Sequence, residues 1–329
     1  MSTTFAGKHW RPDGLAPMTQ SAARYHLIHE TRYNYESPVS LSRQLLHLAP
    51  RDVASGCAWQ TCETHLLAIS PEPTLQFARI DPFGNPVTQI ALEAPHNSLL
   101  VRAESLIEVR PRTPDEQDSP AWEAVRELLA YGVLPVRLDA MRYLFESPYV
   151  RVKHEFAAYA DACFTPGRPL LLAAHALMSL IHREFKYDTE ATTVATPVLQ
   201  VLEEKRGVCQ DFAHLMLACL RSLGLAARYV SGYLLTQPPP GQPRLIGADA
   251  SHAWVSVYCP TEEGGGRWVD FDPTNDVVPD IQHITLAWGR DFGDVSPLRG
   301  VILGGDAHEP DVAVTVMPCE NESLENHEK

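Results

Sequence analysis

With 329 residues, 45% of them apolar, the chain is long enough for two domains and apolar enough to bury a substantial core, which excludes wholesale disorder. A formal net charge of −14 with a pI near 5.4 argues against nucleic acid and against an anionic membrane surface as partners. The cysteines are seven, an odd number at irregular spacings, so they are not a disulfide framework.

Residues 1–22 are polar, carry Pro and Gly and lack the apolar stretch of a signal peptide, so they read as a flexible N-terminal extension. No run reaches the roughly 18 apolar residues of a membrane-crossing helix, and the expectation is a soluble, cytoplasmic protein. From residue 25 to 109 short stretches of β-formers alternate with polar residues, as in Tyr25-His-Leu-Ile-His-Glu-Thr-Arg-Tyr33. Asp81-Pro-Phe-Gly-Asn-Pro86 supplies a turn between two of them. An antiparallel β-sandwich over 23–112 is expected.

The Pro- and charge-rich stretch 110–118 reads as a linker, and 113–165 as a helical linker region with short helices near 122–129 and 155–163. A core follows over 166–318, then a disordered tail over 319–329. Pro166 and Pro169 open a helix whose stripe is Leu170, Leu171, Ala174, Leu177, Met178 and Ile181. A second helix starts at Lys205-Arg-Gly-Val-Cys-Gln-Asp211. It buries Phe212, Leu215, Met216, Cys219, Leu220 and Leu223 and stops at Gly224. Strands are expected over 227–235, 252–258 and 267–272. A proline-rich loop over 237–243 separates the first two, and a glycine hairpin turn over 262–266 the last two.

Three positions in this core carry chemistry. Cys209 stands at a helix start, where Gly207 permits a tight turn and the open N–H groups and helix dipole favour a thiolate. Asp211 on the first turn complements that dipole and caps it. The competing reading of Cys209 is one more buried cysteine. A thiolate nucleophile needs a base and a group that orients the base. His252 opens a strand on a face shared with Trp254, Ser256 and Tyr258, which is expected to point away from the core. Asp270 and Asp272 share one face of the next strand, a costly arrangement for a central strand unless both are paired. Asp272 is preferred as the orienter because Pro273 ends the strand there, with Thr274 and Asn275 fixing the turn.

Gly207-Val-Cys-Gln-Asp-Phe-Ala-His214, Ser251-His-Ala-Trp254 and Asp270-Phe-Asp-Pro-Thr274, in that order, resemble the bacterial transglutaminase-like family, whose members are often labelled cysteine proteases. Leu48-Ala-Pro50 and Asp81-Pro-Phe-Gly-Asn85 are similar to the β-rich N-terminal region found with that core, and the resemblance spans roughly residues 23–318. It implies a papain-like α+β core. It implies Cys209 as nucleophile, His252 as base and acid, Asp272 as orienter, and the Cys209 N–H as one oxyanion donor. Tyr187 is named as the second donor, with Asp211, Trp254 and Asp270 supporting. No cofactor or metal is implied.

The function expected is thiol-dependent acyl transfer at an amide of a peptide or protein, with hydrolysis favoured over amine transfer. A non-catalytic peptide-binding module is the alternative of a different class. A structural zinc site at Cys57 and Cys62 is the third reading, weak because no second ligand pair follows; His26, His29, His47 and His65 are expected on the surface or satisfied within strands.

Overall fold

The computed structural model describes residues 22–53, 59–112, 116, 118–131, 135–235, 251–261, 265–306 and 309–319. The expected N-terminal extension, the proline-rich loop, most of the glycine turn, Cys57 and the tail beyond Cys319 lie outside the described residues.

The chain begins with five strands, β1 (Ala23–Leu46), β2 (Gln60–Ser70), β3 (Leu75–Ile80), β4 (Pro86–Leu92) and β5 (His96–Val109). Three helices follow, α1 (Trp122–Tyr131), α2 (Pro135–Met141) and α3 (His154–Ala160), then α4 (Leu170–Glu184), the short β6 (Lys186–Tyr187), α5 (Val198–Glu204), the short β7 (Arg206–Gly207) and α6 (Cys209–Ser222). The remainder is β8 (Ala227–Leu234), β9 (Ser251–Pro260), β10 (Gly266–Phe271), β11 (His283–Gly289), α7 (Phe292–Val295), β12 (Leu298–Gly304) and β13 (Pro310–Pro318). No helix among the described residues is long and apolar enough to cross a membrane.

The architecture is α+β, as expected: an antiparallel strand-rich region followed by a helix-on-sheet core. The N-terminal strands form one hydrogen-bonded sheet in the order β2-β5-β1-β4-β3, and β12 and β13 also pair with β1. The reason one sheet encloses a core is the length of β1. Its ladder to β5 runs from Ala23 to Asn34, breaks around Pro38 and gives way to pairing with β4 and β12. Pro38 has no N–H to donate, so the ladder is interrupted and the strand bends there. The sheet curls about Tyr35, Val39, Leu46, Ile90, Leu92, Leu99 and Val101. Strands β12 and β13, read from sequence as part of the core, thus pair with the first strand of the chain.

The second sheet has the order β10-β9-β8-β11, all antiparallel. One face packs on the helices through Phe212, Leu215, Met216, Ala253, Val255, Val257 and Phe271. The other is covered by the curled sheet, where Tyr233, Ile284 and Leu286 meet Tyr25, Leu27, Ile107, Val314 and Val316. The four-stranded sheet is therefore a middle layer. Helix α6 is buried on all sides from Asp211 to Arg221, beyond the single stripe expected, because α3, α4 and α5 pack around it as well as β9. Gly224 ends it at φ +76°, a left-handed conformation that glycine adopts without strain.

Candidate active site

Cys209 is the first residue of α6, following Val208 in extended conformation. Asp211 Oδ2 accepts the Val208 N–H at 2.8 Å and the Thr192 hydroxyl at 2.6 Å, closing the helix start. Burial pushes the Asp211 carboxyl up against the lowering effect of these two bonds. Gly207 has a reason different from the expected turn. Its φ is not positive; a Cβ there would stand 2.6 Å from Asp211 Oδ2, so glycine lets the cap approach. The first N–H groups of α6, that of Cys209 among them, have no acceptor within the helix.

Tyr187 reaches this end of α6 because β6 pairs in parallel with β7, opposite Gly207. Its side chain is 52% exposed and its ring meets Phe212 edge-on at 6.4 Å. Partial burial, then the neighbouring Cys209 and Asp211, push its phenol up to about 12, so it is a hydrogen-bond donor near neutrality. Tyr229 on β8 is a second phenol within electrostatic reach of Cys209 that the sequence reading missed; burial holds it well above the ordinary range.

His252 donates from Nε2 to Asp272 Oδ2 at 2.7 Å. Nδ1 is left as the ring nitrogen for the thiol, and Cys209 is also a hydrogen-bond partner of this imidazole. Burial disfavours the imidazolium, but the Asp272 charge and bond, followed by Cys209, outweigh it and raise His252 to about 10. The expected outward-facing position is corrected. His252 is only 9% exposed and Trp254 is fully buried, with its indole N–H on Asp270 and its ring against His283.

Asp272 is completely buried and still held well below the usual carboxylate range. Burial pushes it up, but the His252 charge and the bonds from His252 and His283 prevail. Oδ1 accepts the backbone N–H of Thr274 at 2.9 Å and of Asn275 at 3.3 Å, and Asn275 Nδ2 donates to Oδ2 at 2.7 Å. Helix α4 holds this turn from outside: His182 donates to the Thr274 carbonyl and Ser179 to Asp276.

Asp270 serves a different end. It pairs with Arg112 at 2.7 Å and accepts the Trp254 indole N–H at 3.1 Å. Burial opposes its ionisation, and the Arg112 charge nonetheless lowers its pKa. Strand β10 is an edge strand, not the central one expected, and both acids have partners.

The structure thus brings Cys209, His252, Asp272 and Tyr187 to one place, with Asp211 and Trp254 beside them. It adds a residue the sequence reading missed. His283, the first residue of β11, lies with Nε2 3.1 Å from Asp272 Oδ2 and its ring 5.2 Å from that of Trp254. The available signal was the alternating stretch His283-Ile-Thr-Leu-Ala-Trp-Gly289, but nothing local ties it to Asp272. His252, Asp272 and His283 are the one group of three metal-capable side chains found among the described residues. Their Nε2 and Oδ2 atoms already hydrogen-bond one another, which accounts for the cluster. His26, His29, His47 and His65 each have a polar partner in or beside the curled sheet, and Cys62 donates to the Thr64 carbonyl.

A cysteine at the start of a central helix, packed on an antiparallel sheet that carries a His–Asp pair, defines a papain-like α+β core. The chain belongs to the transglutaminase-like superfamily: residues 157–273 match that superfamily and 25–108 match the bacterial transglutaminase-like N-terminal region. It is 39% identical over 306 residues to an uncharacterised protein of Mycobacterium tuberculosis, covering 92% of this chain and 95% of that one. Over 117 residues it is 30% identical to a protein-glutamine gamma-glutamyltransferase of Pseudomonas aeruginosa, 35% of this chain and 17% of that one. The crystal structure of a candidate cysteine protease from Cytophaga hutchinsonii superposes with a TM-score of 0.71 at 18% identity, covering 92% and 93% of the two chains.

Proposed function

We propose that the protein is an enzyme that transfers the acyl group of a peptide or protein amide through Cys209. The observation that carries this reading is the 2.7 Å bond between His252 Nε2 and Asp272 Oδ2, which leaves Nδ1 for the sulfur at the start of α6. In this reading the Cys209 thiolate attacks the amide carbon and a C–S bond forms. The oxyanion accepts from the Cys209 N–H and the Tyr187 hydroxyl. The His252 imidazolium then gives its proton to the nitrogen as the C–N bond breaks, leaving a thioester and a free amine. Water, deprotonated by His252, attacks the thioester; the carboxylic acid leaves and the thiolate–imidazolium pair returns.

Hydrolysis is the favoured outcome because water is always available and no feature of the described residues selects an amine. Amine transfer is the second reading, supported by the partial match to the glutamyltransferase. Incubation with peptide pools, with and without an added primary amine, followed by mass spectrometry, distinguishes them: cleaved or deamidated peptides mean hydrolysis, amine adducts mean transfer. Cys209→Ala abolishes either; turnover that persists in this variant rules the reading out. Binding of peptides by both forms with no product identifies a recognition module instead.

A further inference from the structure

The proposed chemistry accounts for one donor to Asp272 Oδ2 and leaves a second histidine unexplained. Oδ2 meets three side-chain donors, His252 Nε2 at 2.7 Å, Asn275 Nδ2 at 2.7 Å and His283 Nε2 at 3.1 Å. A carboxylate that only needed satisfying has the two backbone N–H groups and Asn275, which come from its own turn. His283 comes from the far edge of the sheet.

We infer that His283 is a positioning residue: it holds the Asp272 carboxylate in line with His252, and the N-terminal sheet holds His283 in turn. This rests on the reading of Cys209 as the nucleophile. The chemistry of the ring agrees with the role. Burial lowers His283 against the opposing effect of Asp272, so the ring is neutral near pH 7. A neutral ring that donates to a carboxylate through Nε2 carries its proton there, and Nδ1 is buried with no partner among the described residues. It is a fixed single donor and not a second base. The ring is fixed in turn by its edge-on contact with Trp254.

Strand β11 is an edge strand, and its position is set from the other domain. Gln60 on β2 donates from Nε2 to the Thr285 carbonyl at 2.7 Å and accepts the Thr285 N–H on Oε1 at 2.7 Å, two residues from His283. Its Nε2 also reaches the Arg51 carbonyl at 2.8 Å. One buried side-chain amide therefore does what a neighbouring strand would do. It acts where the ladder to β8 slips, between Thr285 and Ala287. Farther along, Asn85 donates to the Trp288 carbonyl at 2.9 Å and accepts its N–H at 3.0 Å. In this account the N-terminal region is part of the site's support: Gln60 fixes β11, β11 fixes His283, His283 fixes Asp272, and Asp272 orients His252.

The test is the pH profile of iodoacetamide alkylation at Cys209, mapped by mass spectrometry. The nucleophile reading expects wild type to be alkylated on the acid limb of this profile faster than free cysteine. His283→Phe keeps the ring but not the donor; the imidazole loses its alignment to the sulfur and the limb rises by about one pH unit, about tenfold slower on the acid side. His283→Gln, whose amide N–H donates where Nε2 did, stays within about twofold of wild type. Gln60→Ala, outside the site, moves the limb in the same direction by less and carries the test if His283→Phe gives no cooperative melt. An unmoved limb in the folded variants, or a His283→Gln variant as impaired as His283→Phe, overturns the positioning role and leaves the nucleophile reading intact. A wild-type thiol with an ordinary limb overturns both.

Discussion

The two edges of the four-stranded sheet are finished in different ways. At one edge β10 carries Asp270 and ends at Phe271, and Asp272, the next residue, presents its carboxylate to His252. At the other, β11 offers a row of backbone groups that would invite another chain. The side-chain amides of Gln60 and Asn85 and the guanidinium of Arg51, stacked 3.3 Å over Trp288, cover it. One edge ends in the buried Asp272–His252 pair and the other is closed by side chains of the N-terminal region. The lesson is that an edge needs its polar groups matched, and that the partner can be a turn, a side chain or a domain.

The comparison is broken most severely at the chemical edge. Asp272→Ala removes the acceptor of His252, His283, Asn275 and two backbone N–H groups; breaking a buried ion pair in this way costs about 3–5 kcal/mol in denaturant unfolding. If the loss is under about 1 kcal/mol, the pair does not hold this edge together. The closed edge comes next. Gln60→Ala leaves the Thr285 N–H and C=O without their partner and costs about 2–3 kcal/mol by the same measurement.

The pH dependence separates charge from packing at the chemical edge. His252 is raised to about 10 in the folded protein, so its stabilising contribution is complete below its unfolded value near 6.5 and is lost as pH climbs through 10. The lowered Asp272 keeps its own contribution above an unfolded value near 3.8 and loses it only at lower pH. Wild type therefore loses stability between pH 7 and 10, whereas Asp272→Asn, with no carboxylate to raise His252, loses less over the same range. Urea midpoints across that range check it; equal slopes would mean that His252 is not charged in the fold. The smallest effect is the control. Asp139→Ala removes an i,i+3 pair with Arg142 in which Asp139 is largely exposed, and shifts stability by no more than about 0.5 kcal/mol.

Much of the helix-and-strand order was legible. The α4 stripe, the start of α6 at Cys209 and its stop at Gly224 follow from apolar period, helix-end chemistry and a glycine. The residue before Pro273, preferred over Asp270 from the sequence, is the acid that hydrogen-bonds His252. Other features were not legible, for physical reasons. The alternation of β9 suggests one wet face, yet His252 and Trp254 are buried, with Asp272, His283 and the Arg112–Asp270 pair beside them from distant sequence. Gly207 looks like a turn residue, while its reason is the carboxylate of Asp211, which only the folded helix start brings close.

Short-range chemistry in the sequence was enough to single out Cys209, His252 and Asp272, which the fold brings together, because a helix start and strand ends are written in neighbouring residues. His283, Gln60 and the return of β12 and β13 to β1 were decided only in three dimensions. Nothing near those residues in the chain specifies their partners. Hydrogen bonds and buried surface between segments more than 200 positions apart do, as in the contact of Gln60 with Thr285 at a separation of 225.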